Sequence, residues 1–87
     1  NKLMDKKVNK YGYSFAIVIL DRPQALMDVV RIISDAKINL IGVNSNYYFE
    51  NGEKLVNIKL NIEISDKEQV NILKNALYKL EGIIRIK

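Results

Sequence analysis

The chain has 87 residues, 48% of them apolar, which allows one domain around a single core and hides only roughly 60 to 65% of the extended-chain surface on folding. It contains no cysteine and no histidine, which excludes disulfides, thiolate metal sites, Ser-His and Cys-His nucleophiles and histidine-bound zinc hydrolases. The formal charge is +4, but Lys2, Lys6, Lys7 and Lys10 against Asp5 supply +3 of it, leaving 10 basic and 9 acidic side chains from Tyr11 onward, so the folded body is nearly neutral and the electrostatic case for a nucleic-acid binder is weak.

Residues 1–10 lack the apolar stretch of a signal peptide and read as a basic linker or disordered arm; residues 11–87 read as the domain. Because the first residue is Asn1 rather than methionine, the chain is expected to be a piece of something longer. Strand one is expected over Tyr13 to Leu20, a β-branched and aromatic run stopped by Asp21-Arg22-Pro23. Its apolar core, Phe15 to Leu20, is the longest unbroken one in the chain and far short of the roughly 20 residues a membrane helix needs.

Pro23 suits the first turn of a helix, and Asp21 with Gln24 has the form of a capping box, so the first helix is expected to begin there. Leu26, Val29, Val30 and Ile33 recur at helical spacing as its buried stripe, and the pattern turns to alternation between Ala36 and Asn39. Leu40 to Ile64 then forms a hairpin about Asn51-Gly52, because both positions of a type I′ turn require positive φ. That turn pairs Tyr47 with Val56, Ser45 with Ile58, Val43 with Leu60 and Ile41 with Ile62 on an inward face. Asn46 with Asn57, Asn44 with Lys59 and Gly42 with Asn61 fall on the outward face, and Glu50 meets Glu53 beside the turn. A slip of one residue would expose Ile58, Leu60 and Ile62, so turn chemistry and periodicity agree.

The second helix opens with either Ser65 and Glu68 or Asp66 and Gln69 as its capping box. Val70, Leu73, Leu77 and Leu80 form its seam, widened by Ala76, and Gly82 closes it. Ile83 to Ile86 is a short fourth strand. A βαββαβ order with two amphipathic helices implies an α+β, ferredoxin-like fold: a four-stranded antiparallel sheet of order 4-1-3-2 with both helices on one face. The open face of strand three is expected to show Leu55, Asn57, Lys59, Asn61 and Glu63.

Nothing in this pattern carries catalysis. The ten acidic residues are scattered, there is no GxGxxG or GxxxxGK[ST] loop, and no metal, cofactor or catalytic residue is expected. RNA recognition through an aromatic sheet face is disfavoured, since strand three offers no aromatic, and Tyr47 of the Tyr47-Tyr48-Phe49 cluster belongs to the inward set. An RNA-binding ferredoxin-like domain would have to work through Lys2, Lys6, Lys7 and Lys10. The segment with a functional look is the turn Asp21-Arg22-Pro23-Gln24-Ala25-Leu26, where a helix N-terminus offers free N–H groups to a carboxylate.

The stretch FAIVILDRPQALMDVVRIISDAKINLIGVNSNY, the NG hairpin and the closing LEGIIRIK resemble the ACT domain, in particular the one at the carboxyl end of RelA/SpoT-type (p)ppGpp synthetase/hydrolases. The resemblance covers residues 13–87. It implies a cytoplasmic, non-catalytic regulatory module of a GTP pyrophosphokinase in the stringent response, acting through a homodimer or other domains of the parent enzyme, with ribosome contact by the parent. An amino-acid-sensing ACT domain of a biosynthetic enzyme is the alternative, with its ligand at the turn after strand one. Such domains commonly carry a glycine after the proline; this chain has Gln24, whose side chain takes space a ligand would want.

Overall fold

In the computed structural model, residues 9–87 are described; the basic segment Lys2, Lys6 and Lys7 lies outside them. The elements are β1 (Tyr11–Leu20), α1 (Ala25–Asp35), β2 (Asn39–Glu50), β3 (Glu53–Ile64), α2 (Lys67–Leu77) and β4 (Ile83–Ile86). The sheet order is β2-β3-β1-β4 with every pairing antiparallel, the arrangement the element order implied. No helix among the described residues is long and apolar enough to cross a membrane.

The hairpin turns at Asn51 (φ 51°) and Gly52 (φ 82°), and the register follows: Glu50 faces Glu53, Tyr47 faces Val56, Ser45 faces Ile58 and Val43 faces Leu60, but Val43 and Tyr47, expected inward, are 45% and 63% exposed because β2 is the edge strand. On the other side of β3, Ile17 meets Ile58 and Phe15 meets Leu60. Ile17, Ile19, Ile58, Leu60 and Ile62 are fully buried beneath Val29 and Ile33 of α1 and Leu73 and Leu77 of α2. Each such side chain stabilises by roughly 1.5 to 3 kcal/mol on leaving water. Asp66 caps α2: its Oδ1 accepts from Glu68 N–H at 3.0 Å, and Gln69 Oε1 accepts from Asp66 N–H at 3.0 Å and Ser65 N–H at 2.7 Å. Of the two capping boxes the sequence offers, Asp66 with Gln69 is the one formed.

Five further expectations need correction. Ile41 does not pair with Ile62; the register shifts between Leu40 and Gly42, Leu40 meets Ile62, and Ile41 bulges out, 57% exposed. The alternation rule assumes one residue per partner, and a bulge breaks it. Asp21 and Gln24 make no capping box, and α1 begins at Ala25, after Pro23. The fully buried stripe of α1 is Ala25, Val29 and Ile33, at i, i+4 and i+8, with Val30 half-buried and Leu26 37% exposed at its margin. Gly82 (φ 87°) lies beyond α2, which ends at Leu77; it turns the chain into β4.

The fifth is Leu55, which is buried although it lies on the helix-free face, as is Val18. Arg85 stands opposite Val18, and Tyr48 stands opposite Leu55. The two side chains meet above them, Arg85 Nη2 donating to Tyr48 Oη at 3.2 Å and to Glu50 Oε1 at 3.2 Å. The aliphatic stem of Arg85 and the Tyr48 ring therefore serve as a strap over two apolar residues the helices cannot reach. The Glu50 hydrogen bond raises the pKa of Arg85, with partial burial opposing it.

Ile58→Ala should lower unfolding stability by about 2 to 5 kcal/mol, whereas Ile41→Ser, at the exposed bulge, should change it by no more than about 0.5 kcal/mol. Urea denaturation followed by circular dichroism measures both. Equal losses would show that Ile41 is packed and that the register runs on past Gly42.

Candidate functional site

The turn between β1 and α1 is built around Arg22. Asp21 still belongs to the sheet, since its N–H donates to the Lys54 carbonyl at 3.0 Å. The chain then reverses: Ala25 N–H donates to Arg22 O at 3.2 Å, and Asp28 N–H donates to Gln24 O at 2.9 Å as the first helical bond. Gln24 holds the left-handed region at φ 67° and ψ 10°, and its side chain accepts no capping hydrogen bond. A residue with a Cβ is strained by roughly 1 to 2 kcal/mol in that conformation.

What opposes the strain is the Arg22 guanidinium. Its Nε donates to the Glu81 carbonyl at 2.8 Å, and its Nη1 donates to the Pro23 carbonyl at 3.1 Å and to Asp28 Oδ2 at 2.9 Å. Arg31 Nη1 takes the other Asp28 oxygen at 2.9 Å. The Arg22 hydrogen bond holds the Asp28 carboxyl below its ordinary range; partial desolvation opposes this, and Arg31 adds to it. Gly82 lets the two turns approach: a Cβ there would lie 3.3 Å from Leu20 Cβ and 3.7 Å from Arg22 Nε. The Gly82 carbonyl also accepts from Leu20 N–H at 2.9 Å.

Five of the six residues singled out in the sequence, Asp21, Arg22, Gln24, Ala25 and Leu26, line one cleft of about 360 Å³; Pro23 does not. The opposite wall is Ser45, Asn46 and Tyr47 of β2 with Lys54 and Val56 of β3. Lys54 closes one side, 3.3 Å from Asp21 Oδ2 and 4.2 Å above the Tyr47 ring, a cation–π contact. The wall from β2 and β3 escapes a linear reading of motifs, yet a signal for it exists: in the order 4-1-3-2, antiparallel pairing of Leu20 with Leu55 sets Lys54 beside Asp21. The Arg22–Glu81 bond has no such signal, because it joins two loops 59 residues apart. The cleft can accept a small polar molecule against the α1 N-terminus, with Lys54 and Asp21 offering both signs of charge. It holds no nucleophile and base in contact.

Gln24→Gly should relieve the left-handed strain and raise stability by about 1 kcal/mol, less what glycine gives back in unfolded-state entropy; a fall in melting temperature would refute that. Asp28 is lowered in the folded state, so its contribution is present above its unfolded pKa, about 3.9, and is lost as pH falls through the lower folded value. Asp28→Asn should therefore flatten the acid limb of the stability curve below about pH 4 and leave its shape at neutral pH unchanged. Melting temperatures across that range measure it.

The ACT domain family profile matches residues 7–87. A search of curated proteins finds no match. Among solved structures, the ACT domain of GTP pyrophosphokinase from Chlorobium tepidum is similar with a TM-score of 0.73 at 16% identity, covering 91% of this chain and 97% of that one. The acetolactate synthase small subunit from Thermotoga maritima is similar with a TM-score of 0.72 at 17% identity, covering 88% of this chain and 46% of that one. A homoserine dehydrogenase from Thiobacillus denitrificans is similar at 0.67 and 18% identity, covering 93% of this chain and 17% of that one. These likenesses establish the fold. The family match spans every element from β1 to β4, so the chain belongs to the ACT domain family.

Proposed function

We propose that this ACT domain is the non-catalytic regulatory module of a cytoplasmic bifunctional (p)ppGpp synthetase/hydrolase, and that it acts by pairing with a second copy or with other domains of that enzyme. The observation that carries the reading is the outer strand. β2 runs twelve residues at the sheet edge, and Val43, Tyr47 and Phe49 are 45%, 63% and 65% exposed along its straight stretch. A long apolar edge with unpaired backbone groups is a template for another strand. Within the turn beside it Arg22 and Asp28 satisfy one another, and Gln24 stands where amino-acid-sensing ACT domains commonly carry glycine. Contact with another surface therefore suits this domain better than capture of an amino acid. Support for the alarmone enzyme comes from the sequence resemblance across 13–87 and from the fold likeness to the GTP pyrophosphokinase domain. Ribosome contact by such a parent would fall to the basic segment Lys2, Lys6, Lys7 and Lys10.

A second reading, an amino-acid sensor in a biosynthetic enzyme, is favoured by the cleft at the β1–α1 turn. A bound amino acid would raise the melting temperature by mass action.

Light scattering on this chain should give a dimer, and Val43→Lys with Phe49→Glu should convert it to a folded monomer; a wild-type monomer would remove the self-pairing. The parent gene should encode nucleotidyltransferase-like and HD-type hydrolase regions, and a parent lacking both would reject the alarmone assignment. A melting screen of the twenty amino acids at millimolar concentration should show no shift, whereas a reproducible rise with one of them would favour the sensor.

A further inference from the structure

The helix-free face of the sheet has two unlike halves. Over Val18 and Leu55 it is closed by Arg85 and Tyr48. Over the other half it is bare: Ser14 and Ala16 of β1, Gly42 and Asn44 of β2, Lys59 and Asn61 of β3, and Lys87 just past β4 surround a hollow of about 680 Å³. The cause lies in side-chain size. Ser14, Ala16 and Gly42 leave the middle of the floor low, while Lys59 and Lys87 rise at its sides. Lys87 is fixed there because its backbone exchanges hydrogen bonds with Ala16, at 3.2 and 2.8 Å.

The hollow is rich in donors, and no aspartate or glutamate side chain lines it. Among the described residues, neither Lys59 nor Lys87 enters an ion pair. Glu63, two positions beyond Asn61 on the same face of β3, is engaged elsewhere, accepting from Asn39 Nδ2 at 3.2 Å. The Ser14 hydroxyl donates to Asn61 Oδ1, which engages the amide's acceptor and leaves its Nδ2 free. That Nδ2 lies 3.3 Å from where a Cβ on Gly42 would be, so the glycine makes room for it. Two ammonium groups and an oriented amide donor around a concavity form a complement to an oxyanion bearing more than one charge. The volume is in the range of small-molecule sites. No tyrosine, tryptophan or histidine lines it, and Phe15 points to the opposite, buried face, so a single strand of nucleic acid would find no stacking platform.

We propose that this hollow, between Lys59 and Lys87 on the open face of the sheet, binds the phosphate groups of a small phosphorylated ligand. It is separate from the cleft at the β1–α1 turn and needs neither the pairing of β2 nor a particular parent enzyme.

Inorganic pyrophosphate titrated into the ¹⁵N-labelled chain is the probe. The amides of Ser14, Ala16, Gly42, Lys59 and Asn61 should shift together and saturate at millimolar concentration, and added salt should weaken the binding. The double variant Lys59→Ala, Lys87→Ala alters two exposed side chains, should melt as the wild type does, and should bind pyrophosphate at least about tenfold more weakly. No shifts up to about 10 mM pyrophosphate, or shifts unchanged in the double variant, would overturn the proposal. Shifts centred on Gln24 to Met27 would place the anion at the α1 N-terminus and overturn it too. A uridine oligonucleotide bound through the same lysines more tightly than pyrophosphate would replace the small ligand with nucleic acid and would likewise overturn it.

Discussion

Everything in this domain depends on the register fixed where Asn51 and Gly52 take positive φ. With that corner in place, Ile58, Leu60 and Ile62 face the helices, and Asn57, Lys59 and Asn61 face away. β3 then passes the same parity to β1, bringing Phe15 and Ile17 under α1 and α2. The cleft is a product of the same register, for Lys54 reaches Asp21 only because Leu55 stands opposite Leu20. A shift of one residue would reverse both faces and dissolve the cleft with them.

The sequence made most of this fold legible, and the reasons differ from element to element. The hairpin could be read because turn chemistry and two-residue alternation are independent signals that agreed. β4 could be read from a short apolar run, and the local side-chain pattern narrowed the α2 cap to two overlapping boxes, of which Asp66 with Gln69 forms. The α1 start could not, because Pro23 and an Asp-x-x-Gln spacing are satisfied equally by a capped helix and by a left-handed turn that precedes one. The Ile41 bulge and the burial of Leu55 were hidden for another reason. Both are settled by neighbours far along the chain, the first by where β2 stops matching β3, the second by Arg85 reaching across from β4.

The candidate turn shows the same division. Its residues stood out as a helix entrance, and five of them do line the cleft. Their partners Lys54, Tyr47, Asp28 and Glu81 come from β3, β2, α1 and the turn before β4. Arg22 is the hinge of this assembly, engaging its own helix through Asp28 and the entrance to β4 through the Glu81 carbonyl. A strained Gln24 persists because the surroundings hold it from two sides.

The bulge at Ile41 bears on how the outer strand behaves when nothing covers it. No proline and no lysine interrupts β2, so it lacks the usual devices that stop identical chains from stacking without end. The extra residue supplies a partial one. An incoming strand can lie straight only from Gly42 to Glu50, beyond which the backbone swings out of line. Growth into a fibre, which requires flat and uninterrupted addition, is thereby disfavoured, while a single closed partnership along the straight stretch is left open.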